Sequence, residues 1–157
     1  MAVDLKGLSD NGRKTSISEL NARLADAIAL ALAVKQAHWN VKGPNFIAVH
    51  ELLDTLHTNL RDHGDVMAER VQQLDGVAVG TAQQVAAASG LPEYPTDLTR
   101  AEDHLRALGE RYRAFGERLR TGIDATGEAG DADTADILTA ASRTVDKDLW
   151  FIASHLE

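Results

Sequence analysis

The chain has 157 residues, of which 44% are hydrophobic and 25% charged, so it is long enough for one domain with a core and has a globular composition. It contains no cysteine, which excludes disulfides and thiolate metal sites and leaves His, Asp and Glu as ligands of any metal. Its formal net charge of −8 disfavours contact with nucleic acid and attracts cations. No apolar run resembles a membrane span or a signal peptide, so we expect a cytoplasmic protein with no membrane partner.

The N-terminal part of the chain divides into a polar tail and a first long helix. Residues 1–15 are polar and are predicted to form a flexible tail, which leaves 16–157 as the single domain. Ser16 and Glu19 have the spacing of a capping box, which predicts that the helix starts at Ser16. The apolar stripe of this helix has four-residue spacing and is formed by Leu20, Leu24, Ile28 and Leu32. We expect the helix to end near Lys42, because Gly43-Pro44 follows.

A second helix and a long connection come next. The helix is predicted for residues 45–74, and glycines follow it. The connection covers residues 77–95, and its Ala- and Gln-rich stretch 81–89 predicts a short extra helix. Pro92 and Pro95 exclude a continuous helix through the rest of the connection.

The last two helices complete the expected architecture. Thr99 and Glu102 have capping-box spacing within a third helix predicted for 96–124. After a turn at 127–133, the fourth helix is predicted for 133–155. Four long helices with one long middle connection predict an all-α four-helix bundle, with the short extra helix between helices 2 and 3.

The second helix carries two pairs of candidate metal ligands. His50 and Asp54 are four residues apart, as are Asp65 and Glu69, so each pair lies on one helix face, and all four share one stripe. Taken alone, an acidic pair is usually a solvated face, and a His–Asp pair is more often a hydrogen bond. His38, near the end of the first helix, can supply a further nitrogen ligand.

The spacing of the two pairs bears on how a site forms. Asp54 and Asp65 are about 16 Å apart along the helix axis, too far to bind one ion within one chain. Residues 50 and 69, like residues 54 and 65, are centred between Asn59 and Leu60. Two antiparallel copies related by a two-fold axis at that point would bring each pair to the other pair of the second copy. The pattern therefore favours a metal site shared between two chains over two separate half-sites.

These residues stand within segments that resemble the Dps mini-ferritins. KQAHWNVKGPNFIAVHELLD and DHGDVMAERVQQLDGVAVGT resemble the signature region of that family, and DADTADILTAASRTVDKDLWFIASHLE is similar to its last helix. The resemblance covers residues 16–157 and implies an all-α, ferritin-like fold that assembles into a hollow homododecamer. No E-x-x-H motif of classical ferritins is present.

The resemblance also implies a ferroxidase site between subunits. The ligands that it implies from one subunit are His38, His50 and Asp54, and those from the two-fold partner are Asp65 and Glu69. Trp39 matches a tryptophan beside the site, where it would serve as an electron donor; the alternative is a core aromatic. Iron, as Fe²⁺ and Fe³⁺, is the expected metal, and hydrogen peroxide or dioxygen the expected oxidant.

In the family, ferrous ions enter the shell through acidic pores at three-fold axes. Asp136 matches a pore aspartate best. Asp131 and Asp133 are weaker candidates, because acids that precede a helix also serve as N-caps. For Asp146 a salt bridge is the preferred interpretation.

The expected function is iron storage and detoxification that protects DNA from oxidative damage. One alternative is a nucleoid-associated protein that binds and compacts DNA, and another is a manganese or zinc protein on the same frame. Direct DNA binding depends on the tail, which holds the basic residues Lys6, Arg13 and Lys14 together with two acidic residues. Twelve such tails could act together by avidity, but they would oppose the charge of −8 on every chain.

Overall fold

The computed structural model describes residue 3 and residues 5–157. Within these residues the chain forms helices and no strands, and the only extended pairing is an isolated bridge between Lys42 and Arg100. The helices are α1 (Asp10–Asn40), α2 (Phe46–Gln73), α3 (Ala82–Ala88), α4 (Ala101–Glu128) and α5 (Ala132–Ser154). The four-helix bundle with a short extra helix in the long connection is therefore confirmed.

The first helix begins earlier than the capping-box spacing predicts. Ser9 is the N-cap, and its hydroxyl accepts a hydrogen bond from the backbone N–H of Gly12 at 3.0 Å. Ser16 lies inside the helix and is fully buried, so the predicted start at Ser16 is wrong. Residues 10–15, which were predicted as part of a flexible tail, are helical. The same prediction also covers residues 1, 2 and 4, which lie outside the described residues.

Residues before and within the first turns of α1 contact the body of the bundle. Leu5 and Leu8 pack against the hydrophobic core. Arg13 forms an ion pair with Asp75 at 3.3 Å and donates a hydrogen bond to the carbonyl of Leu74. These contacts attach the start of α1 to the end of α2.

The start of α4 also differs from the prediction. Arg100 is its N-cap and makes no side-chain capping bond, so the predicted capping box of Thr99 and Glu102 does not form. Instead, the backbone N–H of Lys42 donates to the carbonyl of Thr99, and that of Ala101 donates to the carbonyl of Lys42. This pairing holds residues 99–100 extended, so the helix starts later than residue 96.

The core lies between two antiparallel helix pairs. α1 packs mainly on α2 and α4 mainly on α5, while α3 packs on α1. The largest fully buried side chains come from all four long helices and include Leu30, Leu53, Tyr112, Phe115 and Leu138. Burial of this aliphatic and aromatic surface is the main stabilising contribution to the fold. Among the described residues, no helix combines the length and hydropathy needed to cross a lipid bilayer.

Candidate metal centre

The short connection between α1 and α2 brings two histidines together. His38 lies in the last turn of α1, and His50 follows the first turn of α2. The chain reverses between them through Gly43 and Asn45, whose φ angles of 114° and 61° are both left-handed. Glycine adopts such angles without steric cost, and asparagine tolerates them better than most residues. The turn therefore places the end of one helix beside the start of the next.

The two imidazoles bond to each other's backbone. Their rings stack with centroids 3.7 Å apart. The Nδ1 atom of His38 lies 3.0 Å from the carbonyl oxygen of His50, and the Nδ1 atom of His50 lies 3.0 Å from the carbonyl oxygen of His38. Because a carbonyl oxygen can only accept, each Nδ1 carries the hydrogen, and each neutral ring keeps a lone pair on Nε2. Histidines that bind metals are commonly oriented by such a bond from their other ring nitrogen.

Asp54 lies next to this pair and is held by a lysine. One of its oxygens, Oδ1, is 3.5 Å from His38 Nδ1 and 2.5 Å from Lys35 Nζ. The hydrogen bond from Lys35 is the main cause that lowers the pKa of Asp54, and it outweighs desolvation, which acts to raise that pKa. The carboxylate is therefore ionised at neutral pH, the form that binds cations. Sequence reasoning missed Lys35, although it lies three residues before His38 on α1.

The second ligand pair stays apart from the first. Asp65 and Glu69 are exposed on the C-terminal half of α2, about 16 Å and 22 Å along the axis from Asp54. Over residues 5–157, no three His, Asp or Glu side chains are grouped closely enough to hold a metal ion. One chain thus presents His38, His50 and Asp54 as neighbours that do not converge on one ion, and Asp65 and Glu69 elsewhere on α2.

An apolar cleft lies beside the middle of α2, between the two ligand pairs. It measures about 560 Å³ and is lined by residues of α1 and α2 that include Ile28, Leu32 and Leu60. Leu32 remains 59% exposed at this cleft. Asp65 lies in the lining of the same cleft. The cleft and one candidate ligand, Asp65, therefore share one face of the chain.

Comparison with known proteins identifies the family of this chain. A family model described as a ferritin-like domain matches residues 17–157. The DNA protection during starvation protein of Agrobacterium fabrum is 55% identical over 150 residues, which are 96% of this chain and 93% of that protein. This chain belongs to the Dps family.

Solved Dps structures superpose on the whole chain. The Dps of Mycobacterium smegmatis in its tetragonal form gives a TM-score of 0.94 at 31% identity and covers 100% of this chain and 94% of that one. DpsC from Streptomyces coelicolor gives 0.92 at 33% identity, with 99% and 92% covered. The ferritin-like bundle expected from the resemblance is thus confirmed.

On this Dps fold, Trp39 is at the surface of the chain. Its side chain is 70% exposed, although it directly follows the buried His38. The alternative that Trp39 is a core aromatic therefore does not hold within one chain. Its place in the sequence next to a candidate ligand remains compatible with a role beside the site.

The four aspartates considered for a pore have different environments. Asp136 is exposed on α5. Asp131 is the buried N-cap of α5 and accepts hydrogen bonds from the backbone and hydroxyl of Thr134. Burial acts to raise the pKa of Asp131, but these bonds and the Arg70 ion pair at 2.9 Å leave it below its usual value. Asp133 is exposed in the first turn, 3.9 Å from Arg70, so of the two expected capping acids only Asp131 caps the helix.

The remaining aspartate, Asp146, confirms its predicted salt bridge. Both of its carboxylate oxygens accept from one nitrogen of Arg120, at 2.8 Å and 2.7 Å. About half of each side chain is exposed, so the pair contributes little to stability. Asp136 is left as the exposed, unpaired acid among these four within the described residues.

Proposed function

We propose that this protein is an iron-storage and detoxification ferroxidase whose sites are completed between two subunits. The observation that carries the proposal is the pair of stacked imidazoles, His38 and His50, whose mutual backbone bonds leave both Nε2 atoms available. Asp54 adds an ionised oxygen ligand beside them.

The missing ligands would come from a second copy of the chain. Asp65 and Glu69 are exposed and lie as far beyond the centre of α2 as Asp54 and His50 lie before it. A two-fold axis near Asn59 and Leu60 would place each pair opposite the other and cover the apolar cleft at the same time. One dimer would then hold two equivalent sites.

Iron is the substrate that this donor set fits best. Imidazole nitrogens bind Fe(II), and three carboxylates stabilise the higher charge of Fe(III). Two Fe(II) ions give one electron each to hydrogen peroxide, which takes up two protons and leaves as two water molecules. Because the electrons are delivered as a pair, no hydroxyl radical is released. Dioxygen is the alternative oxidant, and Trp39 would donate an electron if only one iron is bound.

The oxidised iron would be stored in a hollow shell of twelve subunits. The exposed Asp136 would line the three-fold pores through which Fe(II) enters. The net charge of −8 on each chain favours accumulation of cations at the shell. Removal of Fe(II) together with peroxide would protect DNA without contact with it, in a protein that is cytoplasmic.

The alternative function, compaction of DNA by the N-terminal tail, has less support. Arg13 is engaged with Asp75, and Leu5 and Leu8 pack on the core, so these residues of the expected tail contact the bundle. Lys6 and Lys14 are exposed. Two exposed basic residues offset little of the negative charge of the chain. We therefore attribute DNA protection to iron oxidation and treat nucleoid association as secondary.

The proposal is tested by the double substitution His50→Ala/Asp54→Ala. We expect peroxide-driven Fe(II) oxidation, followed by stopped-flow absorbance, to slow by more than about 100-fold, because loss of ligands exceeds the 10- to 100-fold effect of outer-shell partners. The control is Asp97→Ala/His155→Ala, which removes an exposed aspartate and histidine outside the site. Unchanged kinetics in the test variant, with its helical content and assembly intact, would refute the assignment.

A further inference from the structure

A second cleft, distinct from the metal centre, lies between α1, α3 and residues 89–94. It measures about 400 Å³, and none of the candidate metal ligands lines it. This volume is at the lower end of the ~300–1,000 Å³ found for small-molecule sites. Its apolar wall comes from Ala29, Leu30, Ala33, Val85 and Leu91.

The polar wall of this cleft carries Arg111. The side chain of Arg111 is only 5% exposed. One terminal nitrogen donates to the carbonyl of Ala107 at 2.6 Å, and the other donates to the carbonyl of Glu93. Its guanidinium carbon lies 5.0 Å from the centre of the Tyr94 ring, a cation–π contact. Nε is buried and has no hydrogen-bond partner among the described residues.

The other buried arginines show what Arg111 lacks. Of the three arginines buried in the described part of the chain, Arg23 pairs with the buried Asp26 at 3.2 Å, and Arg70 pairs with the buried Asp131 at 2.9 Å. The nearest carboxylate to Arg111 is that of Glu110, 4.0 Å away and 72% exposed. A buried charge without a buried counter-charge is costly. Arg111 is therefore a positive group, in the wall of a cleft, whose counter-ion is missing.

We propose that this cleft binds a small monocarboxylate with a short apolar tail. The carboxylate would accept a hydrogen bond from the guanidinium of Arg111 and neutralise its charge, and the tail would lie along the alanines and leucines of the opposite wall. Glu93 and Glu110 are exposed near this end of the cleft and disfavour anions of higher charge, such as phosphates. The site would be a ligand site that is independent of iron.

Hexanoate is a suitable probe, and titration calorimetry on the full-length, assembled, metal-free protein is a suitable measurement. We expect saturable binding of one hexanoate per chain. Hexanol carries a comparable tail without the charge, and acetate carries the charge without the tail, so both should bind at least about tenfold more weakly. No heat with hexanoate, or equal binding of hexanol, would overturn the proposal.

Two variants locate the binding. Arg111→Gln should weaken hexanoate binding at least about tenfold, whereas Arg113→Gln, an exposed neighbour on α4, should leave it unchanged. Ala86→Phe places a large ring on an exposed position of α3 at the cleft and should block binding even if Arg111→Gln fails to fold. Binding at wild-type strength by Ala86→Phe or by a folded Arg111→Gln would contradict the proposal.

Discussion

Both ends of α2 carry candidate metal ligands, but only the ligands at the N-terminal end are oriented by contacts within the chain. At the N-terminal end, His50 is stacked on His38 and bonded to its backbone, and Asp54 is fixed by Lys35. At the C-terminal end, Asp65 and Glu69 are exposed, and the described residues provide no hydrogen bond or ion pair to either carboxylate. The N-terminal pair is therefore oriented by its own chain, whereas the C-terminal pair has no such contacts among the described residues.

This difference explains how a shared site can be built without misfolding the single chain. Three free carboxylates brought together in one chain would repel one another before any metal arrived. In the proposed shared site, division of the set would keep two acids in water until a second copy and a cation are present. The oriented imidazoles would then need no rearrangement, which would lower the cost of binding.

The largest effect is expected from substitutions at the C-terminal end of α2. Asp65→Ala/Glu69→Ala should slow peroxide-driven Fe(II) oxidation by more than about 100-fold, as much as loss of His50 and Asp54, because both pairs complete one site. Thermal unfolding should hardly change, since both side chains are exposed. Stopped-flow absorbance measures the rate of iron oxidation, and a thermal melting curve measures the stability.

The matched control removes another acidic pair with the same spacing. Asp124 and Glu128 are four residues apart and exposed on α4. Asp124→Ala/Glu128→Ala should oxidise iron at the wild-type rate. If the control slows the reaction as much as the test variant, general loss of negative charge explains the effect and the shared site does not.

The middle of α2, where the two-fold axis would pass, is fixed by a buried acid. Asn59 donates to Asp148 Oδ1 at 2.9 Å, and Asp148 is 1% exposed. Burial raises the pKa of Asp148 to about 6, although the bond from Asn59 opposes the shift. The folded chain therefore keeps a proton that the unfolded chain loses near pH 4, so the stability falls as the pH rises through this window and is lowest above it.

Asp148→Asn should remove this pH dependence. At pH 7 we expect the variant to be more stable than the wild type by up to about 3 kcal/mol, and at pH 4 to be nearly equal to it. Urea unfolding at both pH values, at fixed protein concentration because assembly adds stability, measures the difference. A variant that is destabilised equally at both pH values would show that the charge of Asp148 has no such cost.

A smaller effect is expected from substitution of Lys35, whose side chain contacts Asp54 near the N-terminal end of α2. Lys35→Met removes the main cause that lowers the pKa of Asp54, so that pKa should rise. The ammonium group also occupies an oxygen that a metal would use, so metal affinity at this position should increase by about two- to fivefold, the range of an exposed ion pair. Anaerobic Co(II) titration measures the affinity, with Lys42→Met as the control. Weaker binding in Lys35→Met would mean that Lys35 positions Asp54 and does not compete with metal.

The helices could be predicted from the sequence, because they depend on local spacing. The start of α1 could not, since an S-x-x-E pattern also arises within a helix, and Ser9 provides the cap at the surface while Ser16 is buried. The start of α4 failed for a related reason: the pairing of Lys42 with Arg100 joins residues far apart in sequence.

Within the candidate site, the ligand types stay a prediction from the sequence, and the sequence did not predict the contacts that orient them. The bonds between each imidazole and the opposite carbonyl depend on the left-handed turn at Gly43 and Asn45. Contact between Lys35 and Asp54 depends on how α1 lies against α2. Such contacts follow from packing in three dimensions, and a single sequence gives no direct sign of them.

Mixing two inactive variants tests whether each metal site is shared between two chains. His50→Ala/Asp54→Ala chains and Asp65→Ala/Glu69→Ala chains would be coexpressed in equal amounts and purified as mixed assemblies. Half of the dimers would contain one chain of each kind, and one of the two sites in such a dimer would be intact. If each site is shared, we expect peroxide-driven Fe(II) oxidation at about a quarter of the wild-type number of sites, against none in either variant alone. Mixed assemblies that are as inactive as their parents would contradict it.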